Sequence, residues 1–295
     1  MFKRMQRTNE DIAFDILFNV LGFIALFITF YPMYFVVVAS FSDPRLVLAG
    51  KTFILPRGIT LEGYRLVFDD PRVWTGLRNT LGYTLGGTAF SLLATMLAAY
   101  ALSRRELPFR GIVMLFFTVT MFFSGGLIPT YLVISGLGML NTYWVMVLPG
   151  AVSVYNMIIM RTFFTTNIPE ELFESARLDG CSYTTFFFRI GLPLCKAIIA
   201  VISLYYAVGY WNEYYKALIY ISDAEKTTLQ MVLRNILLST QESADQSGMD
   251  YSSRLMTAEQ IKYALIVAST LPIMLVYPFL QKFFAKGVML GSIKG

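Results

Sequence analysis

"ELFESARLDGCSYTTFFFRIGLPL", residues 171–194, decides how the rest of the chain is read. It carries Glu171, Glu174, Arg177, Asp179 and Arg189, while the stretches on either side are long, apolar and nearly free of charge. A chain that holds a charged, ordered segment between two lipid-like spans has a use for that segment outside the lipid.

The composition sets the frame. Of the 295 residues, 56% are hydrophobic and only 15% charged, and the mean hydropathy is +0.58. Soluble domains run nearer a quarter charged, so a polytopic membrane protein of the all-α class is expected. The 16% aromatic content fits interfacial belts of Trp and Tyr. A net charge of +5 needs no nucleic acid, because basic cytoplasmic loops account for it. There is no His, and Cys181 and Cys195 are the only cysteines. Triads and proton relays therefore lack their commonest residue, and no metal spacing is present. The first apolar run is too long for a cleaved signal peptide.

A spanning helix needs about 20 apolar residues. Charge-free runs predict spans near 16–39, 80–102, 112–134 and 143–162, and two further apolar stretches predict spans near 197–217 and 263–284. The pair at 112–162 is separated at "SGLGMLNT" (135–142), where Gly and Asn break the pattern. Short basic segments at Lys3, Arg4 and Arg7, at Arg104, Arg105 and Arg110, and at Lys282, Lys286 and Lys294 place both termini in the cytoplasm. Loops 41–79 and 218–262 then face outward. Gly82-x-x-x-Gly86 suits close helix packing. Gly50-Lys51-Thr52 looks like the end of a phosphate-binding loop, but Arg45 stands where its first glycine belongs.

The segment 163–195 is left in the cytoplasm. Pro169, Glu170 and Glu171 suit a helix start. Gly180 suits its stop, because glycine accepts the left-handed conformation. Ser182 can cap a second short helix through Phe186–Phe188, and Pro193 opens the way to span five. Leu172, Phe173 and Ala176 form a narrow apolar stripe. A helix merely lying on lipid favours Lys and Arg, whereas this polar face is mostly acidic and an anionic leaflet repels it. A docking site for a cytoplasmic protein is the better reading.

Glu174-Ser175-Ala176, three residues, Gly180, nine residues, Ile190-x-Leu192-Pro193 resembles the EAA motif of bacterial ABC-importer permeases, E-A-A-x3-G-x9-I-x-L-P. Only Ser175 departs from it. The similarity runs through "NTLGYTLGGTAFSLLATMLAAYALSRRELPFRG", "GYWNEYYKALIY" and the tail "KGVMLGSIKG", which resemble MalG-type carbohydrate permeases. "MFFSGGLIPTYLVISGLGMLNTYWVMVLPG" is similar to the LplC/YtcP-like branch, associated with complex oligosaccharides.

The resemblance implies a single transmembrane subunit, residues 1–295, in the bacterial cell membrane, without catalysis of its own. Its partners would be a second permease subunit, two ATPase subunits that bind ATP and Mg, an extracytoplasmic carbohydrate-binding protein and membrane lipid. Glu174, Ser175, Ala176, Asp179, Gly180, Ile190, Leu192 and Pro193 would couple to the ATPase. Gly291, Ser292, Ile293, Lys294 and Gly295 would reach the ATPase interface. The alternatives are a membrane enzyme acting on lipid-linked or exported carbohydrate, and an ion channel or ion-coupled transporter. The enzyme lacks clustered carboxylates and His. The channel would need ionisable groups inside the membrane, and the interiors of spans one to four lack them.

A translocation path is expected on span five. Tyr205, Gly209, Asn212 and Lys216 fall in one helical stripe, and Tyr206, Tyr210 and Glu213 in a second. Together they predict one broad polar and aromatic face, with Leu204, Val208, Trp211 and Tyr215 behind it. Glu213 should face water, a partner or Lys216.

Overall fold

The structure is a computed structural model that describes residues 9–245 and 251–292. Among them all regular structure is helical. The first helix, α1 (Asn9–Ser40), is followed by the short α2 (Pro44–Leu48) and α3 (Glu62–Phe68). The long α4 (Pro71–Ser103) leads to α5 (Arg110–Phe122), α6 (Leu127–Gly136), α7 (Tyr143–Val147) and α8 (Val154–Asn167). The charged segment holds α9 (Glu170–Leu178), α10 (Tyr183–Phe186), a π turn (Phe187–Gly191) and α11 (Leu192–Leu194). Then come α12 (Lys196–Trp211), α13 (Tyr215–Tyr220), a 3-10 turn (Ala224–Lys226), α14 (Leu229–Asp245) and α15 (Tyr251–Ser292).

The chain divides into two compact units. One comprises the chain up to Asp70 with Ile236–Thr270, the other Pro71–Asn235 with Leu271 onward. In the first, α1 has no charged residue between Asp15 and Asp43, and its apolar side chains are exposed all round through Phe30. A helix apolar on every side is a membrane or partner helix, not a surface one. Tyr263 meets Phe35 edge-on at 6.0 Å, and Ser40 Oγ lies 2.8 Å from Tyr64 Oη.

In the second unit α4 is the axis. It packs against α12, α8 and α7. The expected close packing at Gly82 and Gly86 is made by Tyr143, whose hydroxyl donates to the Gly82 carbonyl at 2.8 Å and fills the space a side chain at Gly86 would need. Gly87 does the same for Tyr210, whose ring lies 2.6 Å from where a β-carbon would stand. Deep tyrosine hydroxyls find partners: Tyr206 with Thr95 at 2.6 Å, Tyr210 with Ser91 at 2.8 Å. Ser91 and Thr95 are four apart and so share one face of α4.

Helix breaks fall inside three of the expected spans. The run 112–134 is no single rod. It breaks at "FSGG", residues 123–126, where Gly126 has φ +85° and α5 and α6 meet at 113°. The run 143–162 is interrupted between α7 and α8, where Pro149 lacks a donor and Gly150 has φ +74°. The run 197–217 ends at Trp211, capped by Asn212, and resumes as α13. The first two breaks leave no mark in the charge pattern because their residues are uncharged, whereas Glu213 lies in the third. By length and apolarity two described helices can cross a membrane, Ala13–Ser40 and Pro71–Ser103, or up to four if each bent pair is one span.

Candidate functional site

The charged segment folds as a helix, a turn and a second helical stretch. Pro169 stands at the N-cap, one residue earlier than a first-turn position, and Glu170 and Glu171 occupy the first turn where the helix dipole favours acids. Gly180 has φ +80°. Its N–H bonds the Arg177 carbonyl at 2.9 Å, and the Cys181 N–H bonds the Ala176 carbonyl at 2.9 Å. That pair of bonds is a Schellman stop, which closes the helix on a left-handed residue. Ser182 Oγ accepts from the Thr185 N–H at 3.1 Å and opens α10.

Packing roots this segment in the core of the second unit. Phe173, Phe186 and Phe187 are fully buried, and Ala176 is nearly so. They share one core with Ala99, Tyr100 and Leu102 of α4, Met157, Met160 and Phe164 of α8, and Ile198 and Ile202 of α12. Phe173 meets Phe186 edge-on at 5.0 Å. Leu172 does not join this stripe and is exposed. Glu174, Ser175, Asp179 and Gly180 lie on the exposed side of α9 and its turn. The expected coupling residues are thus split: Ala176, Ile190 and Leu192 anchor, whereas Glu174, Ser175 and Asp179 face out.

The junction to α12 is sharp. A π turn carries Phe187–Gly191, α11 holds Pro193, and Cys195 is fully buried at the corner. The stretch 183–194 meets α12 at 84°. Proline at 193 cannot donate a helix bond, and a π turn is a common local accommodation at functional sites.

Charge ties the segment to the turn after α4. Arg177 Nη1 lies 3.3 Å from Glu106 Oε1 and donates to Tyr183 Oη at 2.8 Å, and Tyr183 Oη donates to Glu106 Oε2. Arg104 stacks on Phe173, its Cζ 4.9 Å from the ring centroid. Sequence reasoning used Arg104 and Arg105 only as markers of sidedness and missed Glu106 and Tyr183. The one available signal was a lone acid, Glu106, in an otherwise basic turn.

The expected face on α12 divides. Tyr206 and Tyr210 are buried against α4, and Tyr206 Oη also accepts from the Ser153 N–H at 3.0 Å. Tyr205, Val208, Gly209 and Asn212 are exposed. At about 100° per residue these four lie within an arc of roughly 100°, so Val208 belongs with Tyr205 and not behind it. Tyr206 and Tyr210 turn inward because a buried hydroxyl needs a partner, and Ser91 and Thr95 supply one. Glu213 pairs with Lys216 at 3.6 Å, and Lys216 Nζ also donates to the Pro149 carbonyl at 2.9 Å. In the tail, Gly291 and Ser292 end α15, while Ile293, Lys294 and Gly295 lie outside the described residues.

Comparison with known proteins follows the same lines. The sequence pattern of the "binding-protein-dependent transport system inner membrane component" family matches residues 87–290. The polygalacturonan/rhamnogalacturonan transport system permease protein YtcP of Bacillus subtilis is 43% identical, over 97% of this chain and 100% of its own. Protein LplC of the same organism is 42% identical, over 91% of this chain and 90% of its own. A crystal structure of a bacterial ABC transporter involved in the import of the acidic polysaccharide alginate superposes with a TM-score of 0.85 at 30% identity, covering 95% of this chain and 99% of that one. With the family pattern matched over residues 87–290 and relatives this similar over most of its length, the chain belongs to the family of binding-protein-dependent transport system inner membrane components.

Proposed function

We propose that this chain is a permease subunit of an ATP-driven importer that carries a carbohydrate, an acidic oligosaccharide, across the bacterial cell membrane. The observation that carries the reading is the lever: an exposed acidic helix face closed by Gly180 and rooted through Phe173 and Phe186 in the core of α4, α8 and α12. A push on α9 moves those helices because the joint between them is packed solid. The cargo follows from the relatives, one named for polygalacturonan and rhamnogalacturonan transport and one for alginate import.

The subunit crosses the membrane six times with both termini cytoplasmic, and the whole chain acts as one transmembrane subunit. ATP and Mg belong to two partner ATPase subunits, which receive Glu174, Ser175, Asp179 and Gly180 at their surface and the tail residues Gly291–Gly295 at their interface. A second permease and an extracytoplasmic carbohydrate-binding protein complete the assembly. Tyr205, Gly209 and Asn212 line the path.

The test is reconstitution of the full assembly in nanodiscs with its binding protein. Acidic oligosaccharides should stimulate ATP hydrolysis, and neutral ones of equal length should not. Purification of the permease pair without an ATPase, or hydrolysis indifferent to every oligosaccharide, would defeat the reading.

A further inference from the structure

Arg104 closes α4 and turns inward until only 5% of it is exposed. Its guanidinium is held by two rings, with Cζ 5.2 Å from the Tyr100 centroid and 4.9 Å from that of Phe173. Nε donates to Ser103 Oγ at 3.3 Å. Nη1 is buried and meets no acceptor among the described residues. A guanidinium carries five donors. An unpaired buried donor on a cation is costly, so a fold that leaves one has a use for it. The nearest acid in sequence, Glu106, is already engaged by Arg177 and Tyr183.

Arg104 also lines a cavity of about 310 Å³, with Tyr100, Ala101, Glu106, Leu107, Pro108 and Tyr183. We propose that this cavity seats the headgroup of an anionic phospholipid, with its phosphodiester meeting Arg104. One water occupies about 30 Å³, so the space is an order of magnitude larger than a bridging water needs. Most of the walls are apolar, which suits a charged group carried on an apolar body. Glu106 in the wall disfavours a doubly charged phosphate monoester and tolerates a singly charged diester. The cavity opens where a 33-residue apolar helix ends, which is where the polar interface of a bilayer lies. On the same turn Arg105 is exposed and Phe109 is 74% exposed, a basic and an aromatic contact suited to that interface. The placement rests on the membrane orientation proposed above.

The experiment uses the full assembly, washed with detergent and then analysed by native mass spectrometry for retained phosphatidylglycerol. Arg104→Gln removes the charge, and Leu107→Trp fills the cavity while leaving Arg104 in place. Arg104→Gln should lower retention about fivefold, the factor that one basic residue near anionic lipid is worth, and Leu107→Trp should lower it by occupying the space. An excess of glycerol 3-phosphate or inorganic phosphate should displace no lipid. Unchanged retention in Leu107→Trp overturns the proposal, even if Arg104→Gln fails to assemble. Displacement by glycerol 3-phosphate overturns it in favour of a soluble phosphate ester. Cargo-stimulated ATP hydrolysis, measured in parallel, tells loss of the lipid site from failure of the transport reading.

Discussion

Arg177 of α9 and Glu106 of the turn after α4 stand 71 residues apart in sequence and 3.3 Å apart in space. Both side chains are about half exposed, so solvent screens the pair and its contribution to stability is under about 1 kcal/mol. Its value lies in linking the lever to a second point on α4. Glu106→Gln should shift the melting temperature by no more than about 2–4 °C while lowering cargo-stimulated ATP hydrolysis. A double-mutant cycle with Arg177→Gln, read on hydrolysis, should show a coupling that the melting curves lack. Additive losses of hydrolysis would reduce the pair to surface decoration.

Gly180 has open space around it: apart from its chain neighbours, no heavy atom lies within 4 Å of where a β-carbon would stand. Among the described residues the cost of substitution is therefore backbone strain, roughly 1–2 kcal/mol for an ordinary L-residue at positive φ. Asn visits that region more readily than Ala, and a β-branched residue resists it most. Hydrolysis coupled to transport should fall in the order Gly, Asn, Ala, Val, with Gly180→Val inserted in the membrane but uncoupled. Coupled hydrolysis at the wild-type rate in Gly180→Val would end the assignment.

The deep tyrosines of α12 separate in the opposite way. Tyr206→Phe deprives both Thr95 Oγ1 and the Ser153 N–H of a partner. Leaving buried groups unsatisfied costs about 1–3 kcal/mol, so the melting temperature should drop clearly. Tyr205→Phe, on the exposed side, should change stability by less than about 0.5 kcal/mol. Equal losses in the two variants would contradict the burial pattern.

Asp223 gives a pH-dependent handle outside the spans. A hydrogen bond from Lys226, reinforced by the Glu225 N–H, holds its carboxyl below the usual carboxylate range. A depressed carboxylate stabilises the fold above its unfolded pKa and loses that contribution as pH falls through the folded one. Amide exchange at residues 224–226 should therefore stay slow relative to the intrinsic rate through mildly acid pH and rise only once the pH is below about 3.9. Asp223→Asn should remove the pH dependence. A transition near neutral pH would refute the cause assigned.

The helix–turn–helix form of residues 170–194 was legible in the sequence because its signals are local. A glycine stop, a serine cap and a charge pattern act within a few residues. The same local reading failed on the spans, where Gly126, Pro149 and Gly150 break helices inside charge-free runs that hydropathy treats as continuous. It also missed what Tyr206, Tyr210 and Arg104 face. Burial of a tyrosine depends on whether another helix presents a hydroxyl at the right height, and Ser91 and Thr95 are more than a hundred residues away. Arg104 read as a topological charge because nothing nearby in sequence hints at Phe173 above it.

The exposed arc of α12 carries the sharpest test of the path. Tyr205, Val208, Gly209 and Asn212 are exposed, while Leu204, Tyr206, Tyr210 and Trp211 are buried within the chain. Cysteine should be introduced singly at each position in a background lacking Cys181 and Cys195, within the assembled importer. A water-filled path lets a charged thiol reagent reach 205, 208, 209 and 212, and cargo or nucleotide trapping slows it. The four buried positions should stay unreactive throughout, because their side chains pack on α4 and its neighbours rather than on the path. An arc that faced lipid would give a different pattern. A membrane-permeant maleimide would label 205 and 208, the charged reagent would not, and cargo would leave the rates unchanged. Glu213, held by Lys216, marks the end of the arc and fixes the depth scale, so labelling by the charged reagent should fall off from 212 toward 205 if access is from that end alone. A flat profile along the arc, equal in all states, would remove α12 from the path.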